Sequence, residues 1–130
     1  RALYETNLQQ NIITPVLVGN VNGRIVVLVD DMVDTSVTLL EAARLLKKEG
    51  AAKIYAMISH GIFSTDTSMT SLEASQMDEI IVSNTIPQIQ HTIKSSKLRI
   101  VDISLILSEA IRRAHNGESI SYLFSPKAFT

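Results

Sequence analysis

The stretch VVLVDDMVDTSVTLL, residues 26–40, runs four apolar residues straight into acid: Asp30, Asp31 and then Asp34. Thr35, Ser36 and Thr38 add hydroxyls, and a helical pattern begins directly afterwards. A helix N-terminus carries orphan N–H groups and the positive end of a dipole, which favours an anion such as phosphate. The three hydroxyls supply further donors. Beside them, Asp30 and Asp31 can accept hydrogen bonds from vicinal hydroxyls or hold Mg²⁺. Two unpaired carboxylates about 4 Å apart repel by about 4 kcal/mol at an effective dielectric of about 20. They therefore call for a cation, donors or water. A ligand with a phosphate at one end and hydroxyls at the other, a sugar phosphate, fits this set. A plainer use also fits: Asp34 or Thr35 caps the helix, worth about 1 kcal/mol, and the other acids are solvated.

These residues must be held by the elements on either side. RIVVLV (24–29) is short, continuous and β-branched, the pattern of a strand covered on both faces. Leu39, Ala42, Ala43 and Leu46 then recur on one face of a helix over 38–49. Lys47 and Lys48 suit its last turn, and Gly50 is the expected terminator. KIYAMIS (53–59) reads as a second strand, completing a right-handed βαβ unit. The pattern continues with a short helix over 71–75, strands over 78–84 and 98–104, and a helix over 105–115 stopped by Asn116-Gly117. SISYLF (119–124) reads as a last short strand. Upstream, Asn22-Gly23 marks a turn, and residues 1–15 read as a frayed helix or loop ended by Pro15. Alternating strands and helices predict an α/β fold, a mostly parallel twisted sheet flanked by helices. In such sheets, ligands bind outside the carboxyl ends of the strands, where the aspartates stand.

Composition narrows the class. The 130 residues fit one domain, and a net charge of −1 gives nucleic acid no electrostatic footing. There is no cysteine, so disulfides and thiolate metal sites are excluded, and a reducing, cytoplasmic setting is expected. No apolar run approaches the roughly 20 residues of a membrane span. The chain opens at Arg1 rather than at Met and reads as a piece of a longer protein. The scattered glycines form neither a nucleotide P-loop nor a G-x-G-x-x-G turn, and Ser36 has no nucleophile elbow. His60, His91 and His115 show no metal-ligand spacing.

VVLVDDMVDTSVT resembles the phosphoribosyl-pyrophosphate (PRPP) binding motif of type I phosphoribosyltransferases and ribose-phosphate pyrophosphokinases, the PRPP synthetases. SHGIFS, VSNTIPQ, LVGNVNGR and VDISLILSEAIRRAHNGESISYLF extend the resemblance to PRPP synthetases and their non-catalytic associated proteins, over about residues 16–125. It implies a type I phosphoribosyltransferase-like domain over 16–125, preceded by a partial segment over 1–15 and followed by a tail over 126–130. It also implies transfer of a pyrophosphoryl group from MgATP to the 1-hydroxyl of ribose 5-phosphate, in nucleotide biosynthesis. Asp34, Thr35, Ser36, Val37 and Thr38 would cradle the 5-phosphate. Asp30 and Asp31 would face the ribose hydroxyls and Mg²⁺. Much of the ATP site, with a catalytic Lys and Arg, would lie on a preceding half, so no catalytic residue is assigned here and the chain alone is expected to be inactive. Homo- or hetero-oligomers with PRPP synthetase subunits, hexamers in the family, are implied as well. An effector site near Ser119, Ser121 and Phe124 follows from the same resemblance.

One departure stands out. Active members usually carry glycine or a very small residue where this chain has Val37, and a β-branched side chain is stiff. The loop keeps the acids of an enzyme and loses the glycine, a departure that suits a regulatory subunit. Catalytic synthetase, non-catalytic associated subunit and phosphoribosyltransferase are the three functions in play; nothing here looks like the base-binding hood the last requires. Elsewhere, His60 ends the second strand and either touches ligand or satisfies a loop carbonyl. Asn84, Thr85 and Pro87 form a turn at the same edge. Arg112 and Arg113 are adjacent on a helix, so one is expected to pair and the other to be solvated.

Overall fold

The computed structural model describes residues 2–7 and 12–125. Strands β1 (Ala2–Asn7) and β2 (Ile12–Leu17) pair as an antiparallel hairpin, with Ala2 opposite Leu17. This replaces the frayed helix or loop expected there; the polar first strand hid its pairing because its partner carries most of the apolar residues. The tail over 126–130 lies outside the described residues.

The main sheet holds β3 (Ile25–Val33), β4 (Lys53–Gly61), β5 (Glu79–Ser83) and β6 (Leu98–Val101), all parallel and standing in chain order. The fold is thus the mostly parallel α/β sheet expected from the alternation of elements. Helix α1 (Val37–Lys48) joins β3 to β4 and buries Leu39, Ala42, Ala43 and Leu46. That is the apolar stripe read from the sequence, and each leucine so buried contributes roughly 1.5–3 kcal/mol. Gly50 follows in the left-handed region at φ 86°, and a Cβ there would meet Asn22 Oδ1 at 2.5 Å. Only glycine lets the end of α1 pack against the Asn22-Gly23 turn. Helix α2 (Asp66–Glu73) starts earlier than predicted and drives Met69 and Leu72 into the core formed with Ile54, Ile80 and Val82. Helix α3 (Ile89–Lys94) went unpredicted, because its Ile89 and Ile93 are exposed and produce no core-facing pattern.

Two further expectations change. Residues 120–124 form a 3-10 helix rather than a strand, its start capped by the Ser119 side chain accepting the Ser121 N–H at 3.3 Å. And β3 is covered on one face only: Ile25 (66% exposed), Val27 and Val29 (79%) stand open, while Val26 and Leu28 pack against the core. The cause is topological. Right-handed crossovers between strands added in one direction place every connecting helix on the same face. Helix α4 (Ser104–His115) does not cover the other face, since Leu105, Leu107 and Ile111 are also exposed.

Candidate functional site

β3 runs on through Val33, so Asp30 and Asp31 lie within the strand and the connection to α1 shrinks to Asp34–Ser36. The sequence had placed the whole of 30–38 in a loop. Alternation along a strand sends consecutive side chains to opposite faces. Asp30 is half-buried and Asp31 exposed, yet their carboxyl groups stay close enough to interact. Each carboxylate takes the next backbone donor: Asp30 Oδ1 accepts the Asp31 N–H at 3.0 Å, and Asp31 Oδ1 accepts the Met32 N–H at 2.8 Å. Burial raises the Asp30 carboxyl above its ordinary range; the Asp31 N–H opposes this and the Asp31 carboxylate adds to it.

The loop is pinned to the segment after β4. Ile62 N–H donates to the Val33 carbonyl at 2.9 Å, Ser64 N–H to Asp34 Oδ1 at 2.9 Å, and the Ser68 hydroxyl to the Asp34 carbonyl at 2.9 Å. The Ser64 hydroxyl and N–H together hold the Asp34 carboxyl below the usual carboxylate range. Asp34 therefore braces the loop rather than capping the helix. The α1 cap is Ser36, at φ 65° and ψ 0°, and its carbonyl accepts the first helical bond from Leu40 N–H at 2.9 Å. The Ser36 side chain makes no capping hydrogen bond, and the first N–H groups of α1 have no side-chain acceptor among the described residues. Ser36 is 3% exposed, and its hydroxyl is the single buried side-chain polar atom without a partner among the described residues. Val37 is the first residue of α1, helical and 59% exposed, so the left-handed strain falls on Ser36 and not on the position where glycine was missed. Thr35 and Thr38 flank this turn and are at least partly exposed.

The rest of the carboxyl edge is a hydrogen-bonded rim. The Ser83 and Thr85 hydroxyls both donate to the Ser59 carbonyl, and His60 Nδ1 meets Thr85 Oγ1 at 2.8 Å. Asn84 Nδ2 donates to Asp102 Oδ1 at 2.8 Å, and Asn84 Oδ1 accepts the Ile103 N–H at 3.0 Å, tying β5 to the start of α4. Buried Gln88 bridges the Gly61 carbonyl, at 2.7 Å, and His91 Nδ1, at 2.8 Å. Ser64, Ser68, Gln88 and Asp102 escaped the sequence reading. Single polar residues in turns carry no periodicity; only the fold brings Ser64 and Ser68 to the loop, Gln88 to the Gly61 carbonyl and Asp102 to Asn84.

Ser119, Ser121 and Phe124 are not at this edge. They follow α4, whose 12 residues span about 18 Å. Phe124 is 86% exposed there. Arg112 and Arg113 both pair, against expectation: each reaches Glu109 and Glu118, and Arg113 stacks on Tyr122 at 4.5 Å from the ring centre. The guanidinium forks are long enough to meet on one acidic pair although their Cα atoms diverge. This network holds Glu109 down at about 2.

No cluster of three or more metal-ligating side chains occurs among the described residues. Mg²⁺ is commonly held by one or two carboxylates plus phosphate oxygens of its ligand. Asp30 and Asp31, each with an oxygen to spare, fit that partial role, and a cation beside Asp30 would offset its burial. No helix among the described residues is long and apolar enough to cross a membrane.

Comparison with known proteins places this geometry. Residues 7–125 match the model of the phosphoribosyl synthetase-associated domain. Human phosphoribosyl pyrophosphate synthase-associated protein 1 is 50% identical over 108 residues, 83% of this chain and 30% of that protein. Human associated protein 2 is 51% identical over 108 residues, 83% of this chain and 29% of that protein. The chain thus spans about 30% of the length of these curated relatives. The crystal structure of phosphoribosylpyrophosphate synthetase from Mycobacterium smegmatis superposes with a TM-score of 0.75 at 28% identity, over 89% of this chain and 37% of that one. The chain belongs to the family of PRPP synthetases and PRPP synthetase-associated proteins, through its phosphoribosyl synthetase-associated domain.

Proposed function

We propose that the Asp34–Thr38 turn binds the 5-phosphate of ribose 5-phosphate, and that the chain acts within an assembly of PRPP synthetase subunits. One observation carries the reading: an uncapped α1 N-terminus beside the buried, unpartnered hydroxyl of Ser36. Several donors converge there without an acceptor, which is what a phosphate oxygen supplies. Asp30 and Asp31 stand next along β3 to receive ribose hydroxyls and one coordination position of Mg²⁺. Bound Mg²⁺ would neutralise phosphate charge during pyrophosphoryl transfer from MgATP. The chain's own part is to bind the sugar phosphate and orient its hydroxyls; the donor nucleotide and the groups that act on it are assigned to other parts of the protein.

A second reading, the non-catalytic subunit, is favoured by the relatives at 50–51% identity, both synthase-associated proteins. Calorimetric titration of the chain with ribose 5-phosphate and Mg²⁺ tests the binding. Saturable heat that Asp34→Ala weakens supports it, and no heat from the native chain refutes it. PRPP formation by the chain mixed with a catalytic synthetase, against the synthetase alone, then separates added catalysis from modulation.

A further inference from the structure

We infer that His60 is locked in one tautomer and presents its Nε2 lone pair as an acceptor for a hydroxyl of ribose 5-phosphate, setting preference for the sugar phosphate over phosphate itself. The inference rests on the phosphate-binding role of Asp34–Thr38 proposed above.

The number of protons available around Thr85 decides the tautomer. The Ser59 carbonyl only accepts, and two hydroxyls reach it, Ser83 Oγ and Thr85 Oγ1, the latter at 3.0 Å. Each hydroxyl has a single proton. If Thr85 spends its proton on Ser59, it has only lone pairs left for His60 Nδ1, 2.8 Å away. Nδ1 must then carry the hydrogen, and Nε2 in the neutral ring must be bare. A fourth contact, Ser83 Oγ to Thr85 Oγ1 at 3.0 Å, belongs to the same cluster: with a hydrogen on Nδ1 three protons serve the four contacts and one contact goes without, whereas with Nδ1 bare two protons serve them and two go without. The Ser83 oxygen also accepts the Thr85 N–H at 3.2 Å, which holds the two side chains together beneath His60.

Position gives the bare nitrogen its use. His60 pairs in register with Met32, on the strand that carries Asp30 and runs into Asp34. The ring is exposed, Nε2 lies on its side away from Thr85, and it makes no hydrogen bond among the described residues. A ligand anchored by its phosphate at Ser36 must extend across this edge, where the neighbouring protein groups Asp30 and Asp31 are also acceptors. Acceptors in that place select hydroxyls and do nothing for a bare phosphate. Thr85 and Ser83 are positioning residues for His60.

Two measurements on the full chain test this. Long-range ¹H–¹⁵N spectra of the imidazole rings at neutral pH should give His60 protonated at Nδ1 with Nε2 bare; the opposite tautomer overturns the inference. NMR titrations with ribose 5-phosphate and with inorganic phosphate then read selectivity. His60→Asn keeps a donor toward Thr85 and removes Nε2. It should weaken ribose 5-phosphate about five-fold and leave inorganic phosphate unchanged. His60→Gln, whose amide oxygen extends to the Nε2 position, should restore part of the loss. Equal weakening of both ligands would make His60 a phosphate contact and refute the hydroxyl role. Unchanged affinity for both, with phosphate still bound, would leave His60 structural and also refute it. A native chain that binds neither overturns this inference together with the phosphate-binding reading beneath it.

Discussion

Ser36 carries two burdens that a bound phosphate would relieve, and removing them by mutation should make the empty chain more stable. Its backbone sits at φ 65°, where a residue other than glycine gives up roughly 1–2 kcal/mol. Ser36 is 3% exposed and its hydroxyl has no partner among the described residues, which costs about 1–3 kcal/mol relative to a buried apolar group. Ser36→Gly removes both and adds back about 0.4–1 kcal/mol of chain entropy in the unfolded state. The net is a stabilisation of about 2 kcal/mol. Ser36→Ala removes only the orphan hydroxyl and should gain about 1 kcal/mol. With a urea dependence of about 2 kcal/mol/M, the glycine variant should unfold about 1 M later than the native chain. The same variants should lose affinity for ribose 5-phosphate about three- to ten-fold, because a donor is gone. Urea denaturation followed by circular dichroism, with and without ligand, checks both halves. Native-like or lower stability in Ser36→Gly would refute the idea that this turn stores strain. Gain of stability with undiminished binding would show that the hydroxyl does not serve the phosphate.

Other consequences are equally open to measurement. Val37→Gly clears an exposed β-branched side chain from the mouth of α1 and should tighten ribose 5-phosphate several-fold; calorimetry showing no change would mean that Val37 does not hinder the phosphate. Gly61→Ala puts a Cβ 2.4 Å from Phe63 Cε2 and 2.8 Å from Val82 Cγ2, and should cost about 1–3 kcal/mol in thermal or urea unfolding, unlike an alanine on the open face at Val27. Leu72→Ala, at a fully buried site under α2, should cost about 2–5 kcal/mol; a loss below 1 kcal/mol would contradict the packing described. Glu109 has a folded-state value of about 2 against an ordinary 4.5, so its contribution is complete above pH 4.5 and is lost as pH falls toward 2. The Tyr122 ring signals, reporting its contact with Arg113, should shift in that window, and Glu109→Gln should reduce the shift, leaving the part that comes from Glu118.

The elements with strong periodicity were legible in the sequence. The stripe of α1, the strands read over 24–29 and 53–59, and the stop at Gly50 all follow from local pattern, as does the cluster of acids and hydroxyls, although β3 runs on to Val33 beneath the acids. What escaped depended on partners distant in the chain. The hairpin needs β2 to explain β1, and α3 buries nothing that would reveal it. The open face of β3 was misread because a continuous apolar run looks the same whether its outer face is covered or bare. At the site, composition named Ser36 among several hydroxyls; only backbone geometry singles it out as the left-handed, unpartnered one. The role of Asp34 as a brace likewise required Ser64 and Ser68, some 30 residues away.

The chain-order arrangement of the main sheet bears on how the protein is made. Each parallel strand pairs with the one synthesised before it, separated by a single helical crossover. No strand has to slip between two that are already paired, and every loop closed during assembly is short for a parallel sheet. A nascent chain can therefore add β4 to β3, then β5, then β6, burying one helix face after another as residues emerge. The turn at Ser36 lies inside the first unit to close, so its geometry can form early, before the last strand and α4 exist.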